Sequence, residues 1–235
     1  MFYPMIMDPV YLVTELIAVP AILFALYAQF KVKGTFERYS RVAARSGLTG
    51  AEAARRLLDR HGIRDVTIGT AGGWLGDHYD PRKKQLNLSD RVYNGNSLAA
   101  LGVAAHETGH AFQHAEKYGA LALRNGLVPL TYTSQLAMPL AFAGYFFHSP
   151  TMILIGICLF SAFVAFTLIT LPVEFNASSR AVQLLQDSGI VGFDEAPHVR
   201  AVLSAAALTY AAAAAVAIAH LLRLVLLFTM SSRDD

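Results

Sequence analysis

Four apolar stretches long enough to cross a bilayer limit this chain's fold more than any other feature, and they lie near residues 10–30, 127–147, 151–171 and 202–230. A hydrocarbon core takes about 20 mostly apolar residues as helix, because each segment must satisfy its own backbone polar groups. The last stretch includes an alanine run at 211–215 and is strongly apolar only over 221–228, where Arg223 can snorkel to an interface. Composition agrees: 54% of residues are hydrophobic and 15% charged, with a mean hydropathy of +0.42. Soluble domains carry about 25% charged residues. The expected fold is mainly α: a polytopic membrane protein with about four transmembrane helices and a small cytoplasmic α+β region, forming a single unit over residues 1–235.

Charge placement sets the expected orientation. All but Arg180, Arg200, Arg223 and Arg233 of the 19 Lys and Arg fall between Lys31 and Arg124. The first stretch has no basic residue before it and no small-residue cleavage site after it, and is followed at once by Lys31, Lys33, Arg38, Arg41 and Arg45. It therefore reads as an uncleaved anchor with its N-terminus outside. By the positive-inside rule, segments 31–126 and 172–201 are cytoplasmic and His148-Ser149-Pro150 is an external hairpin. A net charge of +2 gives no reason to expect nucleic acid as a partner. The one cysteine, Cys158, excludes both an internal disulfide and a cysteine-based zinc site.

The first cytoplasmic segment reads as a folded region. Thr49 is an N-cap for a helix through Leu57 and Leu58, with Gly62 as the stop. Residues 65–68 alternate as a strand, 70–76 form a glycine-rich turn around Trp74, and 77–81 with 85–88 suggest a hairpin. Residues 97–118 then read as one helix carrying His106-Glu107-Thr108-Gly109-His110. Residues four apart on a helix lie on one face about 6 Å from each other, so His106 and His110 can share one ion. Glu107, about 100° round the helix, stands beside that ion and can take the proton of an attacking water. Two neutral imidazoles suit zinc, and His-Glu-x-x-His on a helix is the zinc-peptidase signature.

A catalytic zinc needs a third protein ligand. His114 lies about 12 Å from His106 along the helix, too far to join both. His78, in the hairpin, is within range. Glu174 is the preferred candidate, because a carboxylate beside the hydrocarbon is costly unless used or paired; the competing role is an ion pair with Arg180. The short hairpin at 148–150 makes the flanking spans antiparallel neighbours, which brings the ends near Asn125 and Leu171 together. His78, Tyr79, Arg180 and His198 are further candidates for substrate or transition-state contacts.

Several motifs together resemble the YugP-type neutral zinc metallopeptidases of bacterial membranes. They are Thr-Gly-Ala-Glu from 49, Asp-His-Tyr-Asp-Pro from 77, Ala-Ala-His-Glu from 104 through His110, Gln-His-Ala-Glu from 113, and Leu-Pro-Val-Glu-Phe from 171 with Ala177-Ser178. The resemblance covers nearly the whole chain. It implies a membrane-bound zinc peptidase with His106 and His110 as ligands and Glu107 as base. A looser similarity to gluzincins supports a later glutamate as third ligand. Many gluzincins place an aspartate four residues after that glutamate to support a zinc histidine; here the position is Ser178.

The function expected is a zinc-dependent endopeptidase, with one Zn2+, acting on membrane or membrane-proximal proteins at the cytoplasmic face of the cell membrane. Its partners are the lipid bilayer and a protein or peptide substrate, with a second copy of the chain or a regulatory protein as further partners. The rival function is a non-proteolytic zinc-containing adaptor or assembly factor, which would have no need of Glu107. An intramembrane protease would carry its motif within an apolar span, whereas this motif helix holds Gln113, Glu116 and Lys117.

Overall fold

The computed structural model describes residues 9–73 and 76–231, so Trp74 falls outside the described residues. The helices are α1 (Pro9–Tyr39), α2 (Gly50–Arg60), α3 (Asp90–Tyr93), α4 (Leu98–Ala115), α5 (Gly119–Thr133), α6 (Ala137–Phe146), α7 (Pro150–Asp187) and α8 (Ala196–Ser231). The strands β1 (Thr67–Ala71), β2 (His78–Asp80) and β3 (Gln85–Ser89) lie between α2 and α3. The fold is mainly helical with one small sheet, as composition and patterning suggest.

The chain clusters into two compact units. One comprises Gln29–Ala122 and Pro172–Leu208, the other Met1–Ala28, Leu123–Leu171 and Thr209–Asp235. In the first, local sequence signals explain α2. Thr49 caps α2 in a reciprocal box: Glu52 N–H donates to Thr49 Oγ1 at 3.3 Å, and Thr49 N–H donates to Glu52 Oε2 at 2.8 Å. The chain leaves α2 through Gly62, whose φ of +73° strains residues with a Cβ.

In the sheet, β3 is central, antiparallel to β2 and parallel to β1. Leu86 and Leu88 alternate onto one face and are fully buried, packing with Ala104 and Ala111 of α4. Tyr79 pairs with Leu86 and shares that cluster, whereas His78 pairs with Asn87 and is exposed. The sheet thus turns Tyr79 toward α4 and His78 to the opposite face. The parallel β1–β3 pairing and the short α3 were not expected from sequence.

In the second unit, Ala137, Ala141, Phe160, Val164, Ala217 and Leu224 form the core. A Cβ on Gly144 would lie 2.8 Å from Ile153 N, and one on Gly156 2.8 Å from Ala137 O, so α6 and the start of α7 pack nearly backbone to backbone. Among the described residues, three helices are long and apolar enough to cross a membrane: Leu16–Tyr39, Pro150–Asp187 and Ala196–Leu226. The stretch at 127–147 is not one unbroken helix, because a 3-10 turn at Ser134–Leu136 separates α5 from α6. Pro139 accounts for the break: it has no N–H to offer the carbonyl one turn back, and its ring crowds that turn. Two hydroxyls bond back to carbonyls in the turn before the break, Thr131 Oγ1 donating to Val128 O at 2.7 Å and Ser134 Oγ to Thr131 O at 2.8 Å.

Candidate metal centre

The helix α4 is enclosed on two sides by small and branched apolar residues. Leu98, Leu101 and Ala105 belong to one core cluster with Ala181, Leu185 and Val199. Ala99, Ala104 and Ala111 belong to another with Leu86, Leu88 and Val92. Ser97 caps its start, accepting from Ala100 N–H at 3.2 Å. Between the two motif histidines stands Gly109, where a Cβ would lie 3.0 Å from Ala177 O and 3.3 Å from Ala177 Cα. The missing side chain lets the α7 backbone run directly against α4 at the level of the motif.

That crossing brings Glu174 to the histidines. Its Oε2 lies 3.1 Å from His106 Nε2 and 3.6 Å from His110 Nε2, and the three donor atoms fall within 4.8 Å of one another. Tetrahedral zinc with ligands at about 2.0–2.1 Å separates its donors by about 3.3 Å, so the spacing fits. Two imidazoles and a carboxylate also match zinc in chemistry. Glu174 is 3% exposed and Glu107 is 9% exposed, so this charge is largely removed from water.

The outer nitrogens of both rings are held. With Nε2 turned to the site, His106 Nδ1–H donates to Ser178 Oγ at 3.1 Å and His110 Nδ1–H donates to Gln113 Oε1 at 2.9 Å. Gln113 is fully buried, and its Nε2 donates to Val173 O at 2.9 Å and Asn176 Oδ1 at 3.0 Å. One amide therefore ties His110 to the segment bearing Glu174. Burial works against charge on His110, but the hydrogen bond to Glu174 and the charges of Glu107 and Glu174 outweigh it, and the imidazole is pushed up to about 9.

The remaining candidates have other partners. His78 donates through Nδ1 to Gly76 O at 2.8 Å and accepts from Asn87 Nδ2 at 3.2 Å. Tyr79 hydroxyl and His114 Nδ1 share a 2.9 Å hydrogen bond. Burial, with the charges of Asp65 and Asp80, pushes that phenol up to about 12. Arg180 pairs with Glu116 at 2.5 Å rather than with Glu174. His198 stacks on Tyr39, with ring centroids 5.2 Å apart. None of these four joins the donor group of His106, His110 and Glu174. Sequence reasoning gave Gln113 and Asn176 no role. The three-residue spacing from His110 to Gln113 was the available signal for the first.

Comparison with known proteins agrees with this chemistry. The chain is 50% identical over 220 residues to "Putative membrane protease YugP" of Bacillus subtilis (strain 168), covering 93% of this chain and 97% of the relative. No solved structure matches it. A family model described as "Putative neutral zinc metallopeptidase" matches residues 14–229. With nearly its whole length accounted for, the chain belongs to that neutral zinc metallopeptidase family.

Proposed function

We propose that the protein is a membrane-bound zinc endopeptidase that cuts membrane or membrane-proximal proteins at the cytoplasmic surface. The observation that carries this reading is the convergence of His106, His110 and Glu174 on one point, with Glu107 beside it on α4. These three residues would hold a single zinc ion. When bound, it supplies a Lewis acid that polarises the scissile carbonyl and lowers the pKa of water toward about 7.

The chain's own groups do the rest. Glu107 takes a proton from the attacking water as its oxygen bonds to the carbonyl carbon, and returns it to the amine nitrogen as the C–N bond breaks. Ser178 and Gln113 fix the tautomers of the two histidines, so that each presents a lone pair from Nε2. His78, Tyr79, Arg180 and His198 are the proposed contacts for substrate or the developing oxyanion. In the proposed topology four spans, including the interrupted one at 127–147, leave segments 31–126 and 172–201 on the cytoplasmic side.

The test is cleavage of a peptide library by the purified full-length protein in detergent. Cleavage should stop on chelation and return with one equivalent of zinc. A zinc-loaded protein that cuts no member of the library would favour the non-proteolytic adaptor.

A further inference from the structure

A second site lies apart from the metal-binding residues, between the last turns of α1 and the first turns of α8. The groove holds about 440 Å³, which is within the range of small-ligand pockets, about 300–1,000 Å³. Phe30, Lys31, Thr35 and Arg38 line it from α1, and Ser204 and Leu208 from α8. Its floor opens at Gly34, where an added Cβ would meet nothing within 4 Å. No carboxylate is among the lining residues. The nearby Glu37 is engaged by Arg91 at 3.6 Å.

The stacking of Tyr39 on His198 sets the two helices antiparallel here, so Phe30 and Leu208 lie toward one end and Arg38 toward the other. Arg38 is itself braced, with its guanidinium 5.4 Å from the Tyr39 ring centroid. Phe30 is 76% exposed and stands where the apolar run of α1 gives way to basic residues. Two cations and two hydroxyls line the groove between its Phe30 and Arg38 ends, with Phe30 and Leu208 apolar at one end, which matches a phosphate that carries a hydrocarbon tail.

We propose that this groove binds the phosphate headgroup of an anionic phospholipid, with Lys31 and Arg38 neutralising its charge and Thr35 and Ser204 donating to its oxygens. A basic pocket at a membrane surface gains from each cation it offers to an anionic lipid. The apolar end distinguishes a lipid from free phosphate. This inference rests on the membrane character of the chain and is independent of the peptidase reading.

The test is lipid retention by delipidated full-length protein in neutral detergent, measured by native mass spectrometry, with phosphatidylglycerol, phosphatidylcholine or inorganic phosphate added. The wild type should retain one phosphatidylglycerol and little phosphatidylcholine. Lys31→Gln and Arg38→Gln should each weaken retention about fivefold, and together on the order of twenty-fold. Gly34→Leu should also weaken it with both charges intact, and Lys31→Arg should preserve it. Each variant is scored only as a monodisperse species in gel filtration, so misfolding is not read as lost affinity. Equal retention of the two lipids, undiminished phosphatidylglycerol in the double variant, or displacement by millimolar inorganic phosphate would overturn the assignment.

Discussion

Ser178 lies four residues after Glu174 on α7, and its Oγ is 3.1 Å from the outer nitrogen of His106. A neutral hydroxyl can fix the ring and its tautomer without adding charge, so its loss should be felt but not fatal. Ser178→Ala is expected to lower zinc affinity about tenfold while leaving the fold intact, as read by competition with a chromophoric chelator. His110 carries a second expectation. Its pKa is raised from 6.5 to about 9, so the metal-free protein holds that proton below about pH 9. Zinc requires the neutral imidazole, so loading near pH 7.5 should release about one proton from this residue, falling toward none above pH 9. Calorimetry in buffers of different ionisation enthalpy counts that proton; no release at pH 7.5 would contradict the raised value. The pair His106 and His110 was legible in the sequence because helical periodicity alone puts them on one face. Ser178 was marked only by a resemblance and Gln113 was given no role, because their partners depend on how two distant helices cross.

Gly109 shows what that crossing demands of an element. The Ala177 backbone lies against it, and a Cβ there would stand 3.0 Å from Ala177 O, so α4 or α7 would have to give by a few tenths of an ångström. Gly109→Ala should destabilise the protein by about 1–3 kcal/mol through overpacking. It should also weaken zinc binding, because the helix that moves away carries Glu174. A melting curve and a zinc titration on the same sample check both; a variant that binds zinc like the wild type would show that the crossing tolerates a Cβ. Local signals revealed the capped helix at Gly50–Arg60 and the β2–β3 pair, since a capping box and an alternating hairpin are written within a few residues. The parallel β1–β3 pairing was hidden, because it joins strands across an intervening one. The 3-10 break before α6 is signalled only by Pro139, which hydropathy passes over.

For the whole molecule, composition revealed the membrane class, and among the described residues three apolar helices carry it. The proposed cytoplasmic side of segments 31–126 and 172–201 rests on charge asymmetry. Cysteines introduced at Gly50 and Asp187, in a Cys158→Ser background, should both react with a permeant maleimide and be shielded from an impermeant one in intact cells. Reaction of the two from opposite sides would exclude a shared site.

In the proposed site two segments far apart in the chain hold one zinc ion, with Glu107 working on water and Glu174 on the metal. Zinc content and peptide hydrolysis, measured together on wild type, Glu107→Gln and Glu174→Gln, test it most directly. One zinc per chain is expected in the wild type and in Glu107→Gln, whose hydrolysis should fall by about 100- to 10,000-fold. Glu174→Gln should lose both zinc and hydrolysis. Full activity in Glu107→Gln, or wild-type zinc affinity in Glu174→Gln, would contradict it.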